Sequence, residues 1–185
     1  MTMPGERVYP EDAAGSFPTP PLRITDSDGR EITVDAFTGD ADAEIDALVA
    51  MYDDFDPEDR AQGVPPVGES RIREWVASLL EQDGFDVVAW HGEEIAGHAT
   101  LVPDDDATYE LAIFVHQTYQ GAGIGTELIN ALLGHAQASG AALVWLSVER
   151  WNRPAVALYE KVGFETASAE SFEMEMAIRL NDDTG

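Results

Sequence analysis

The chain has 185 residues, enough for one compact domain with a core of its own. It carries 36 Asp and Glu against 10 Lys and Arg, for a formal net charge of -26. This speaks against nucleic acid and anionic membranes, which are bound by cations that release counterions. The absence of cysteine excludes disulfides, thiolate metal sites and a cysteine nucleophile.

Met1 to Pro21 is rich in Pro, Gly and acids, and is expected to be a mobile or loosely docked extension without the pattern of a secretory signal. Residues 22–185 read as a single domain. Leu22-Arg23-Ile24-Thr25 and Glu31-Ile32-Thr33-Val34 alternate on either side of Asp26-Ser27-Asp28-Gly29, the pattern of a hairpin. Ala41 to Asp53 is an amphipathic helix with Ile45, Leu48, Val49 and Tyr52 on one face. Pro57, Gly63, Pro65, Pro66 and Gly68 mark a loop. A second helix carries Ile72, Trp75, Val76, Leu79 and Leu80 and ends before Gly84.

Phe85 to Trp90 and Ile95 to Val102 read as strands, with Asp104-Asp105-Asp106 as the next turn and Tyr109 to Val115 as the strand after it. Ile124, Leu128, Leu132 and Ala136 recur every four residues, so a helix starts near Gly123. Leu143 to Val148 is a short buried strand, Asn152 to Val162 a helix closed by Gly163, and Phe172 to Leu180 a last strand. This order gives one α+β, or mixed α/β, domain. No apolar run is long enough to span a bilayer, so a cytoplasmic protein, monomeric or homodimeric, is expected.

The turn Gln120-Gly121-Ala122-Gly123-Ile124-Gly125-Thr126 lies between a strand and a helix. Glycine there lets backbone approach a ligand closely, and the unpaired N–H groups of a first helical turn favour an anion. A phosphate loop of the Walker type needs a lysine after the second glycine, and Thr126 follows Gly125 instead. A dinucleotide fold needs more strand–helix units downstream than remain. On its own, the turn is equally a tight turn with no ligand.

The downstream residues narrow this. Gln120-Gly121-Ala122-Gly123-Ile124-Gly125 resembles the Gln/Arg-x-x-Gly-x-Gly/Ala motif of the GNAT acyltransferase superfamily. Asn152-Arg153-Pro154-Ala155-Val156-Ala157-Leu158-Tyr159-Glu160-Lys161-Val162-Gly163-Phe164 resembles that superfamily's Asn-x-x-Ala-x-x-Leu-Tyr-x-x-x-Gly-Phe segment. The resemblance covers roughly Phe85 to Leu180. It implies a central, mostly antiparallel mixed sheet, flanked by helices and splayed at its middle strands. It further implies acetyl-CoA as co-substrate, with pantetheine on the backbone of Ile113, Phe114 and Val115 and the pyrophosphate on the turn from Gln120 to Thr126. Asn152 would reach the thioester end. The activity implied is transfer of an acetyl group to a primary amine by direct attack in a ternary complex.

Such a transfer needs a base for the amine, a donor for the carbonyl oxygen and an acid for the departing thiolate. Related protein-acetylating members place a glutamate where Glu110 stands, which makes it the candidate base, acting directly or through a water. The N–H of Val115 is the candidate carbonyl donor and the Tyr159 phenol the candidate acid. Asn152 also reads as a helix cap. His98 and His116 lack metal-ligand spacing and read as structural or surface, so no metal is expected. Trp90, Trp145 and Trp151 read as core or rim. Arg150, Arg153 and Lys161 are candidates for the ribose phosphate. Met51 to Arg60 resembles a segment of microbial protein-lysine acetyltransferases, which points to a protein lysine as acceptor. Small-molecule amines and a non-catalytic acyl-CoA sensor stay open.

The charge has one further consequence. A single lysine, Lys161, beside so many acids resembles the composition of proteins from salt-accumulating archaea. Self-repulsion destabilises such a fold at low salt, and about 1 M salt shortens the Debye length to about 3 Å. Thermal unfolding followed against KCl is expected to show a melting temperature that rises with salt. A salt-independent value would remove the halophilic reading.

Overall fold

The computed structural model describes residues 7–59, 64–105, 107–169 and 172–182. Met1 to Glu6 of the N-terminal extension, Arg60, Gly63 and Asp106 lie outside the described residues. Eight strands form one sheet in the order β1-β2-β3-β4-β5-β6-β8-β7. They are β1 (Leu22–Thr25), β2 (Glu31–Ala36), β3 (Phe85–His91), β4 (Glu94–Asp105), β5 (Thr108–Val115), β6 (Leu143–Glu149), β7 (Glu165–Ala169) and β8 (Glu173–Arg179). Every pair is antiparallel except β5 with β6. The helices are α1 (Asp42–Asp53), α2 (Glu69–Glu81), α3 (Ile124–Ala138) and α4 (Arg153–Val162). This is the mixed, mostly antiparallel sheet that the sequence implies.

The sheet separates two apolar layers. On one face, Leu128, Leu132 and Ala136 of α3 and Tyr159 of α4 pack with Val144, Leu146 and Ile178. On the other, Leu48 and Tyr52 of α1 and Ile72 and Val76 of α2 pack against Val88 and Ile95. The second layer contains a polar chain. His98, only 1% exposed, has Nε2 at 2.7 Å from Asp86 Oδ1 and Nδ1 at 2.6 Å from the Tyr52 hydroxyl. Asp86 accepts from Nε2–H, which leaves Nδ1 to accept from the Tyr52 O–H. The bonds pin α1 to β3 and β4, behind Phe114, whose ring meets that of Tyr52 at 5.6 Å.

Three local features depart from the sequence reading. β4 continues through Asp105 with an irregularity between Pro103 and Asp105, where a turn was expected at Asp104. Pairing with β5 overrides the turn preference of the aspartates. β7 was not foreseen, because Glu165 to Ala169 shows no apolar alternation; β8 recruits it to the sheet edge. A 3-10 turn, Gln117–Tyr119, precedes the glycine turn, with the His116 ring accepting from Thr118 N–H at 3.2 Å.

Candidate active site

β5 and β6 stay paired only from Thr108–Leu143 to Glu110–Trp145. β5 follows β4 to Val115 while β6 follows β8 to Glu149, so the two part beyond Glu110. The resulting cleft, about 650 Å³, has Glu110, Trp145 and Glu175 at one end and Asn152, Ala155 and Tyr159 on its α4 wall. Ile113 and Phe114 also line it. A second depression of about 310 Å³ is bounded by Val115, Gln120, Gly121, Gly123, Ile124, Gly125 and Thr126, with Pro154 and Leu158 of α4 opposite. α4 thus walls both spaces.

The glycine turn is built to present backbone. Gly121 has φ +75° and Gly123 φ +91°, a conformation costly for other residues. A Cβ at either position would meet no neighbouring atom within 4 Å, and both glycines line the depression. Gly123 caps α3 without a side-chain bond, leaving the first-turn N–H groups free of intrahelical partners. Among the described residues no side chain or loop carbonyl accepts from the N–H groups of residues 121–126. Ala122 points the other way. It is buried, and its carbonyl accepts from both the N–H and the hydroxyl of Ser27, at 3.0 and 3.1 Å. The β1–β2 hairpin therefore braces the turn from behind. Arg30 strengthens the brace by donating to Thr118 O at 3.2 Å and lying 4.4 Å above the Tyr119 ring. Gln120 donates to Val115 O and Asp59 Oδ2, both at 3.0 Å, so its side chain ties the loop and is already engaged.

The two candidate catalytic side chains stand on opposite walls. Glu110 is accessible from the cleft, yet its carboxyl is held above the usual carboxylate range, first by partial burial and then by the Asp104 charge. Arg7 opposes that rise and Glu175 adds to it. Tyr159 is 9% exposed, and burial alone pushes its phenol up to about 12. Its hydroxyl has no hydrogen-bond partner among the described residues, although it borders the cleft. An orphaned buried hydroxyl of this kind fits a ligand-binding role. Asn152 Oδ1 caps α4 by accepting from Ala155 N–H at 3.4 Å, and its amide N–H groups stay available to the cleft. The unpaired donors, the glycine cradle and these two polar groups fit an extended ligand ending in phosphates.

Sequence reasoning missed the wall beside Glu110. Trp145, read as core or rim, lies next to Glu110 and donates from Nε1 to Asp104 Oδ2 at 3.0 Å. Glu175 and Arg7 complete that wall. The alternation Glu173-Met174-Glu175-Met176 signals a strand with one polar face, but not what it faces. Met51, Tyr52 and Phe55, in the segment whose resemblance points to a protein-lysine acceptor, are buried. The end of that segment instead clamps the loop after β5, with Gln117 accepting from Asp56 N–H at 3.0 Å and donating to Asp54 O at 2.6 Å. Among the described residues no group of three or more His, Asp or Glu could hold a metal, and no helix is long and apolar enough to cross a membrane.

A sequence model of the acetyltransferase (GNAT) family matches residues 47–164. Mycothiol acetyltransferase of Corynebacterium glutamicum is 32% identical over 117 residues, 63% of this chain. The chain spans only 38% of that relative's length. The [ribosomal protein bS18]-alanine N-acetyltransferase of Escherichia coli is 37% identical over 78 residues, 42% of this chain and 52% of that one. In fold, the GNAT domain of S. lividans PAT superposes with a TM-score of 0.72 at 17% identity, covering 86% of this chain and 96% of that chain. Salmonella typhimurium yncA, solved with acetyl-CoA, has a TM-score of 0.66 at 17% identity, covering 83% and 96%.

Proposed function

Because the chain belongs to the acetyltransferase (GNAT) family, we propose that it moves an acetyl group from acetyl-CoA to a primary amine by direct attack in a ternary complex. The observation that carries this reading is the splay of β5 from β6, with Glu110 and Tyr159 on opposite walls and the glycine turn at the far end. Val115, Gly121 and Gly123 to Thr126 bind the pantetheine and pyrophosphate through backbone groups, together with the backbone of Ile113 and Phe114. Gln120 and Ala122 hold the turn in shape. In a chain with one lysine, neutral donors replace cations at the phosphates.

Glu110 accepts a proton from the incoming ammonium, directly or through a water. A carboxyl held above its usual range is better matched to that task than an ordinary surface glutamate. The Val115 N–H supports negative charge on the acetyl oxygen. Tyr159 keeps its proton at working pH and gives it to the departing sulfur.

The acceptor is proposed to be a protein lysine. Trp151 and Phe172, 72% and 80% exposed, adjoin the cleft-lining residues Glu149, Asn152 and Glu173. Arg150 N–H donates to Phe172 O at 2.9 Å, which joins the two loops into one exposed aromatic rim. Exposed aromatic side chains at a cleft mouth favour a macromolecular acceptor. The charge of -26 supports a haloarchaeon-like source and work in a salt-rich cytoplasm. A screen of small amines and lysine-containing proteins with acetyl-CoA in molar KCl is expected to give acetyl transfer to proteins at lysine. Transfer to small amines alone would move the acceptor class. Saturable acetyl-CoA binding with no transfer to any amine would make the protein a sensor.

A further inference from the structure

The wall beside Glu110 already carries a cation, supplied by the chain itself. The Arg7 guanidinium lies 3.5 Å from the centre of the Trp145 ring. Its Nε and Nη2 donate to the two carboxylate oxygens of Glu175, both at 3.1 Å. Nη1 donates to the Tyr9 hydroxyl at 3.0 Å and stands 3.8 Å from Asp104 Oδ2. An aromatic face, a two-pronged carboxylate and a second carboxylate form a receptor for a planar cation. Trp145 is the sheet neighbour of Glu110, and Glu110 and Glu175 line the same cleft. The receptor is therefore next to the place where an amine would lose its proton.

Arg7 is held there by its backbone. Val8 N–H donates to Ala167 O at 3.0 Å, and Arg179 Nε donates to Pro10 O at 2.8 Å. A tethered group has a high effective concentration at its site, so a free cation must compete with it. The surrounding wall is otherwise acidic, with Glu149 and Glu173 exposed along β6 and β8. Without Arg7, that wall would welcome a second positive charge at the face of Trp145.

Resting on the acetyltransferase reading, we propose that Arg7 is a specificity-determining residue. It fills a cation-reading subsite made by Trp145, Glu175 and Asp104, and so excludes acceptors that bear a second positive charge a few carbons from the reacting amine. With Arg7 absent, the subsite accepts a guanidinium or ammonium from the acceptor itself.

The test compares 4-guanidinobutylamine with butylamine as ligands of the full chain and its Arg7→Ala variant, by calorimetry at one ionic strength. The variant is expected to bind 4-guanidinobutylamine about tenfold more tightly than the parent, with butylamine unchanged. Adding Glu175→Gln to Arg7→Ala should abolish the gain. Equal binding of 4-guanidinobutylamine by parent and variant would overturn the proposal, as would an equal gain for butylamine, which would mean only a wider cleft. Arg7→Gln keeps a stem on Trp145 and decides the matter if Arg7→Ala melts early. With acetyl-CoA present, the ratio of kcat/KM for the two amines should shift by the same factor. If neither protein acetylates any amine, the acetyltransferase reading falls, while the binding comparison still decides the role of Arg7.

Discussion

Glu110→Gln is expected to lower kcat by about 100-fold or more, within the range ascribed to a positioned general base, and to leave acetyl-CoA binding unchanged. Glutamine keeps the size and polarity of the side chain, so the cleft between β5 and β6 should retain its shape. The pH profile separates this from a packing effect. Burial and the Asp104 charge raise the Glu110 carboxyl, so the acidic limb of kcat/KM should lie above the usual carboxylate value of about 4.3. Removing a negative neighbour makes ionisation easier, so Asp104→Asn should move that limb to lower pH. The same shift has a stability side. A carboxyl raised by the fold binds its proton more tightly folded than unfolded, so its charged form opposes folding as pH rises through the folded value. Glu110→Gln should therefore be neutral or stabilising at neutral pH. A wild-type rate in Glu110→Gln would remove Glu110 as the base.

Tyr159→Phe is the second large effect. A drop in kcat of about 100-fold is expected if the phenol protonates the leaving sulfur. Burial holds that phenol at about 12, so it stays protonated across the working range and adds no basic limb to the profile. Phenylalanine preserves the edge-on contact with Phe164, whose ring centre lies 5.9 Å away. It also removes a buried hydroxyl that has no partner among the described residues, so melting temperature should hold or rise slightly. An unchanged kcat with a raised KM for acetyl-CoA would reduce Tyr159 to a wall of the cleft.

The parts of this site legible in the sequence are those set by local chain chemistry. Gly121 and Gly123 mark a turn because only glycine takes their backbone angles readily. Asn152, Pro154 and Gly163 bound α4 as cap, first-turn proline and terminator. The helices and six of the eight strands follow apolar periodicity to within a residue or two. What was not legible depends on partners far apart in the chain. Arg7 meets Glu175 across 168 residues, and Trp145 meets Asp104 across 41. No periodicity announces such pairs, because strand order decides them. Asp104 looked like a turn residue for the same reason: its extended conformation comes from β5. Tyr52 looked like one more apolar helix position, and its hydroxyl only acquires a role once β3 and β4 bring Asp86 and His98 beneath it.

The contact of Ser27 with Ala122 joins residues on either side of the matched region's start. The hairpin that contains Ser27 lies wholly before residue 47, yet it braces the glycine turn. The two are thermodynamically coupled: whatever tightens the loop also discourages the hairpin from opening, and a frayed hairpin loosens the loop. The edge of the sheet is in that sense a remote control on the glycine turn, exerted by a hairpin none of whose residues lines either depression.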